Sequence, residues 1–256
     1  MDYIKETEMK NQIKKYYFEH SEILEQLSKG RFEREPLFLD KIFRKYGKVK
    51  TVLDVGCGTG AHLNELAKMG YKRFGIDLSR SIINYARKKC PNIKFETKDM
   101  RKLNYKNRFD AIICLCTTFC YNLNNKDILL TLANFRKALK KDGILVIDVF
   151  NPISFIEKIR YKRVRVETHQ LGGLKFKEKL ESRINENSQT LMDIRTTYLN
   201  NKKVKINRTV LRMFFPQEMR AYLELSGFKF IDFYGSYDLK NKVADAARLI
   251  TVAKRK

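Results

Sequence analysis

Apolar positions along this chain follow two rhythms. Between Thr51 and Phe150, apolar runs at about 51–55, 73–76, 93–96, 110–115 and 143–149 alternate with helically spaced stretches at about 61–69, 79–89 and 126–140. That alternation predicts a parallel sheet flanked by helices, with ligand held at the carboxyl ends of the strands. From Arg163 to Met213 the rhythm changes. Segments Arg163–Leu171, Leu174–Ile184, Met192–Leu199 and Val204–Met213 are of mixed polarity, with Gly172-Gly173, Asn185-Glu186-Asn187 and Asn200-Asn201 as turns between them. They predict an antiparallel meander outside the parallel core. A helix from Gln217 to Ser226, entered through Pro216, and strands at about 228–234 and 248–253 return to the core. Residues 1–50 read as helical: Leu37, Phe38, Ile42 and Tyr46 recur at helical spacing, and Gly47 stops the pattern.

The first apolar run ends in the most informative stretch, Val52-Leu53-Asp54-Val55-Gly56-Cys57-Gly58-Thr59-Gly60. A buried strand followed by three glycines turns tightly into a helix, and bare backbone lets a ligand approach the helix N-terminus. Asp77, 17 residues after Gly60, closes the second strand where a carboxylate reaches ribose hydroxyls. The ligand is therefore adenosine-containing. Gly56-x-Gly58-x-x-Ala61 also satisfies the dinucleotide fingerprint, which makes a nicotinamide dinucleotide the competing reading. Asp54, two residues before the first glycine, opposes a pyrophosphate there. Asp99 adds an acid after the third strand, and Phe109–Leu115 then ends in a polar and aromatic loop. One acid at each of three successive strand ends suits a ligand with a ribose, an adenine amine and a cationic head.

Composition narrows the class. A chain of 256 residues, 43% hydrophobic, suits one α/β domain with an elaboration. Its first fifteen residues are polar and mixed in charge, and no apolar run approaches the ~20 residues of a membrane span. Neither a signal peptide nor a membrane partner is expected. Five cysteines without a disulfide-framework spacing point to a reducing cytoplasm. Lys and Arg number 53 against 29 acids, a net charge of +24 spread over the chain without a block of five like charges. Such an excess suits an anionic partner, either RNA or a phosphorylated or nucleotide-linked substrate, and equally a solvated basic surface.

In this order the motifs resemble the class I S-adenosylmethionine-dependent methyltransferases. Asp54–Gly60 is similar to their first motif, Asp77 to the ribose acid, and Asp99-Met100 to the pair beside the adenine. Phe109–Cys114 resembles the fourth strand, and Leu139–Asp148 the helix end, turn and fifth strand. Gly227-Phe228 and Arg248–Ala253 resemble the closing elements. The resemblance implies a Rossmann-like, seven-stranded, mainly parallel sheet flanked by helices, with residues 51–150 and 214–256 as core. It implies an N-terminal helical lid over residues 1–50, and an antiparallel β insertion over 151–213, after the fifth strand, covering the substrate site. It also implies S-adenosyl-L-methionine as cofactor, with S-adenosyl-L-homocysteine as product. The implied cofactor-binding set is Tyr16 or Tyr17, Asp54, Gly56, Cys57, Gly58, Gly60, His62, Asp77, Leu78, Asp99, Met100, Cys114 and Leu115. The small-molecule branch, similar to glycine N-methyltransferase and the nucleotide-sugar N,N-dimethyltransferases, is the nearest in pattern.

Methyl transfer asks little of side chains, because alignment and exclusion of water supply much of the acceleration. The loop Cys116–Asn122 after the fourth strand faces the methyl group in the resembled family. Related enzymes carry Asp-Ser and then Asn-Tyr there; this chain keeps Thr118 and Tyr121 but has Thr117 and Cys120 at the other two places. Thr118 and Tyr121 are the residues expected to line the transfer site. His169 is the lone candidate for a base, set against the bland reading of a packed strand histidine. Cys114, Cys116 and Cys120 lack a second pair of ligands and are read as core residues, so no metal is expected. The expected activity is methyl transfer to a nitrogen or oxygen of a small-molecule acceptor, anionic or nucleotide-linked acceptors included. RNA methylation through the basic surface is the second choice, and a non-catalytic cofactor-binding subunit the third. No signal for an oligomeric state is present.

Overall fold

The computed structural model describes residues 29–161, 163–171, 174–199, 201–239, 243 and 246–256. The described chain opens with α1 (Lys29–Tyr46). There follow β1 (Thr51–Val55), α2 (Ala61–Lys68), β2 (Lys72–Asp77), α3 (Arg80–Lys89), β3 (Lys94–Thr97), β4 (Phe109–Cys114), α4 (Asn125–Ala138) and β5 (Leu139–Phe150). Next come α5 (Pro152–Tyr161) and a four-strand run, β6 (Val164–Leu171), β7 (Leu174–Asn185), β8 (Thr190–Leu199) and β9 (Lys202–Arg212). The chain closes with α6 (Pro216–Leu225), β10 (Phe228–Tyr234) and β11 (Arg248–Arg255).

Seven strands form one sheet in the order β10-β11-β5-β4-β1-β2-β3. β1 to β5 pair in parallel, and β11 runs antiparallel to both β5 and β10. The order reverses between β1 and β4, which opens a crevice at their carboxyl ends. Strict alternation builds the two layers. Leu53, Val55, Ile112, Cys114, Leu145 and Ile147 face one core with Ile128, Leu132 and Phe135 of α4 and Met219 of α6. Val52, Ala111, Ile113, Ile144 and Val146 face the other, under Phe38 and Ile42 of α1, Leu63 and Leu66 of α2, and Ile83 of α3. Both faces of β1, β4 and β5 are covered, which is why they read as unbroken apolar runs.

β6 to β9 make a separate antiparallel sheet in sequence order. Two expectations are corrected. Residues 152–161 form a helix that the apolar pattern did not show. α4 ends at Ala138, and β5 begins at Leu139, so the helix expected to reach 140 stops two residues early. An irregularity in the β4–β5 pairing, between Phe109 and Ala111, absorbs the turn through Asp142 and Gly143. No helix among the described residues is long and apolar enough to cross a membrane.

Candidate active site

A cavity of about 510 Å³ opens at the carboxyl edge of the sheet beside the switch between β1 and β4. Gly56, Asp77, Leu78, Asp99, Met100, Thr118 and Tyr121 all line it, so residues far apart in sequence converge there. Leu78 and Tyr121 are exposed at 70% and 56%, apolar surface that a planar base or an acceptor could cover.

Asp77 is held before any ligand arrives. Its Oδ2 accepts the Gly58 N–H at 3.1 Å, and its Oδ1 accepts the Ser79 N–H at 2.9 Å. A carboxylate offers about four acceptor positions, so two remain for a diol. Asp99 is held differently. Arg101 forks onto it, Nε to Oδ1 at 3.0 Å and Nη2 to Oδ2 at 2.7 Å, and also reaches Asp127 at 3.2 Å. Hydrogen bonds from Arg101 hold the Asp99 carboxyl below its ordinary range. Arg101 and Lys98 also line the cavity, and the motif reading did not single out either. Arg101 was legible only as the neighbour of Asp99-Met100.

The three glycines differ in their reasons. All have positive φ, at 76°, 52° and 80°. A Cβ on Gly60 would lie 2.7 Å from the Phe95 ring, and one on Gly56 would lie 2.4 Å from the Thr118 side chain. Only Gly58 faces open space. The expectation that all three lie bare for ligand is therefore corrected: Gly60 makes room for Phe95, and Gly56 both lines the cavity and seats Thr118.

Several expected cofactor residues lie behind the wall. Cys57, Cys114 and Leu115 are buried in the cores at 5%, 0% and 2% exposure, so only their backbone could meet a ligand. Burial pushes the Cys57 and Cys114 thiols well up. Asp54 is 1% exposed and one oxygen, Oδ2, has no hydrogen-bond partner. Burial raises its carboxyl to about 7, with His62 opposing and Asp77 and Glu35 adding to the rise. His62 is also buried, and its Nε2 lies 2.5 Å from Oε2 of Glu35 on α1. Glu35 has no part in the motif pattern; only its place on the helix packed against α2 brings it there.

The loop after β4 has left-handed backbone at two non-glycine residues, Cys116 and Thr117 (φ 55° and 65°). Asp148 of β5 holds it. The Cys116 N–H donates to Asp148 Oδ2 at 2.9 Å, and the Thr117 N–H donates to the Asp148 carbonyl at 3.0 Å. Arg248 of β11 in turn pairs with Asp148, its Nε lying 2.7 Å from Oδ1. This support was missed, because the two residues are 100 positions apart and each reads as ordinary strand. Burial pushes the Tyr121 phenol up from its ordinary value.

Tyr16 and Tyr17 lie outside the described residues. His169 has its backbone in β6 opposite Phe176 and its side chain lies outside what is described. Among the described residues, none of 151–213 lines this cavity, while a larger cavity of about 770 Å³ lies elsewhere, between α5 and the four-stranded sheet. The smaller one holds the converging carboxylates and the strand ends, the features that define a ligand site on this fold.

Comparison with known proteins agrees with the fold. Residues 52–143 match the family model of a methyltransferase domain, and the fold is the class I methyltransferase fold. An S-adenosylmethionine-dependent methyltransferase from Clostridium acetobutylicum superposes with a TM-score of 0.78 at 16% identity, covering 93% of this chain and 98% of that one. A dTDP-3-amino-3,6-dideoxy-alpha-D-glucopyranose N,N-dimethyltransferase from Streptomyces fradiae is 28% identical over 162 residues, 62% of each chain. A glycine/sarcosine/dimethylglycine N-methyltransferase from Actinopolyspora halophila is 29% identical over 216 residues, 82% of this chain and 36% of that protein. The matched stretches span about half the length of the curated relatives.

Proposed function

We propose that this chain is an S-adenosylmethionine-dependent N-methyltransferase acting on the amine of a small molecule, with an amino sugar carried on a nucleotide as the first acceptor class to test. The observation that carries the reading is the convergence of Asp77, Asp99 and Thr118 on one cavity beside a glycine loop pinned to Asp77. When bound, the cofactor supplies a methyl group already activated on a sulfonium. Asp77 holds the ribose diol with its two remaining acceptor positions. Asp99, set by Arg101, accepts from the adenine amine, and Met100 and Leu78 cover the base. Asp54, with its unpartnered oxygen, faces the amino-acid end, on the side of His62. That buried carboxyl gains its charge most readily beside an ammonium, which fits an α-amino group.

Thr118 and Tyr121 stand where the acceptor amine would enter. Their work is to orient it and exclude water, and alignment of this kind can supply up to ~7–11 kcal/mol. The acceptor nitrogen must be unprotonated to attack, and the partly exposed edge at Tyr121 leaves its proton a route to solvent. The relatives named as amino-sugar and glycine methyltransferases support an amine acceptor, and the basic composition supports an anionic one. All five cysteines are free thiols, which supports placing the protein in the cytoplasm.

The test is transfer of labelled methyl from S-adenosylmethionine to a panel of nucleotide-linked amino sugars, glycine and sarcosine, followed by mass spectrometry. Label on a sugar amine supports the reading, and label confined to a hydroxyl or to RNA overturns it. Asp77→Ala is expected to abolish binding of S-adenosylhomocysteine in calorimetry; retained affinity would sink this placement of the ribose.

A further inference from the structure

Three residues from three separate elements, two of them buried, meet beside the site. Glu35 comes from α1, His62 from the first turn of α2, and Cys116 from the loop after β4. One ligand atom of each lies within 4.8 Å of the other two. Among the described residues, this is the set of three metal-ligating side chains that comes together. The cysteines clustered in the sequence do not form it. The fold takes one of them, Cys116, and joins it to a carboxylate and an imidazole far away in the chain. Glu35 and His62 are 2% and 5% exposed. Cys116 is presented from left-handed backbone fixed by Asp148, so its position is set by structure rather than by a flexible tether.

We propose that Glu35, His62 and Cys116 bind a divalent zinc ion that bridges α1 to the core and excludes the amino-acid end of the cofactor. A carboxylate, an imidazole and a thiolate are the donor mix zinc accepts, with bonds of roughly 2.0–2.3 Å and a fourth position open to water. Tetrahedral donors at those bond lengths stand roughly 3.3–3.8 Å apart. Atoms at the outer limit need to draw in by roughly 1.0–1.5 Å to reach that spacing, while the 2.5 Å contact between His62 Nε2 and Glu35 Oε2 opens to admit the ion. On binding, the Cys116 thiol and the Glu35–His62 contact give up their protons to solvent, so that thiolate and carboxylate together balance the two positive charges.

A second observation asks for a cation in the same place. Asp54 is buried against this cluster with Oδ2 unpartnered, and the charges that act on it are those of His62, Asp77 and Glu35. The Tyr237 hydroxyl is likewise buried without a hydrogen-bond partner, and Glu35, Cys116, Asp148 and Arg248 are the charged and titratable groups that act on it. The unpartnered Asp54 oxygen, with Asp77 and Glu35 as the acids acting on it, is the atom that a cation would satisfy. The ion site stands on this geometry alone. The exclusion of cofactor rests on the placement of the amino-acid end proposed above, since both cations would claim the space beside Asp54.

The test begins without cofactor. Metal-stripped protein is titrated with Co2+, which reports thiolate ligation by a charge-transfer band in the near ultraviolet. One equivalent is expected to saturate the band, Zn2+ to displace it, and Cys116→Ser and His62→Gln to lose it while keeping the wild-type far-ultraviolet circular dichroism. Glu35→Gln, which leaves the thiol in place, is expected to weaken Co2+ at least tenfold and serves if either of the other variants fails to fold. No band at one equivalent, or a band that survives Cys116→Ser, overturns the site. Calorimetry with S-adenosylhomocysteine then tests exclusion: one equivalent of Zn2+ is expected to weaken binding at least tenfold in wild type and not in Cys116→Ser. Unchanged affinity overturns the exclusion. Failure of S-adenosylhomocysteine to bind the metal-free protein would instead count against the functional reading.

Discussion

Asp54 Oδ2 is buried without a hydrogen-bond partner, and burial raises the carboxyl to about 7 from an ordinary 3.8. Below its ordinary value the group is protonated in both folded and unfolded chains. Between about 4 and 7 the unfolded chain releases the proton while the folded chain keeps it, so stability falls as pH rises through that window. Above 7 the loss is complete, at roughly 4 kcal/mol for a shift of this size. Asp54→Asn removes the titration. In chelator-treated buffer, thermal unfolding of wild type is expected to weaken from pH 5 to pH 8 more than that of the variant; equal slopes would refute the assignment. Asp54 was legible as an odd acid ahead of a glycine loop. Its burial and lack of a partner were not, because both depend on α1 and α2 closing over the strand end.

Gly58 and Gly60 share positive φ, so an alanine at either costs about 1–2 kcal/mol in left-handed backbone. Gly60→Ala also drives a methyl into Phe95, and overpacking adds about 1–3 kcal/mol. Denaturant titration is therefore expected to rank Gly60→Ala as the less stable variant, and Gly58→Ala as the one that stays folded yet loses S-adenosylhomocysteine affinity. The sequence motif treats these glycines alike, and only the neighbour each would strike separates them. Elsewhere the pattern was a good guide. β1 to β5 were legible because both faces are covered, and β6 to β9 because short polar turns punctuate them. The helix at Pro152–Tyr161 was not, because Asn151-Pro152 was not read as the helix entry it is: Pro152 opens the first turn and Asn151 Oδ1 accepts the Ile153 N–H.

Asp148 and Arg248 act at the same scale, as the brace that keeps Cys116 and Thr117 in left-handed backbone. Asp148 is fully buried, so Arg248→Met leaves an uncompensated charge and is expected to cost about 3–5 kcal/mol. A brace predicts more than lost stability. Amide exchange at Cys116 and Thr117 should quicken beyond the change seen at Val52 and Leu53 in the middle of the sheet. Equal change at both places would mean that the pair supports the fold and not the loop.

At the scale of the whole molecule the open quantity is the charge. A net +24 on 256 residues creates a field that draws anions of any kind, and its spread along the chain names no partner. The cavity sharpens the choice. Lys98 and Arg101 are cations of its wall, and both are already engaged, Lys98 with Glu96 and Arg101 with Asp99 and Asp127. Recognition of a small anion would use few charges, whereas RNA would lie across many phosphates and release counterions from each. Salt separates the two. Methyl transfer to a nucleotide-linked amine is expected to fall only several-fold between 50 and 200 mM salt, set against the ~10³–10⁵-fold loss expected for a ligand touching six to ten phosphates. A steep fall on the small acceptor would mean that the distributed basic surface, and not the cavity, does the binding.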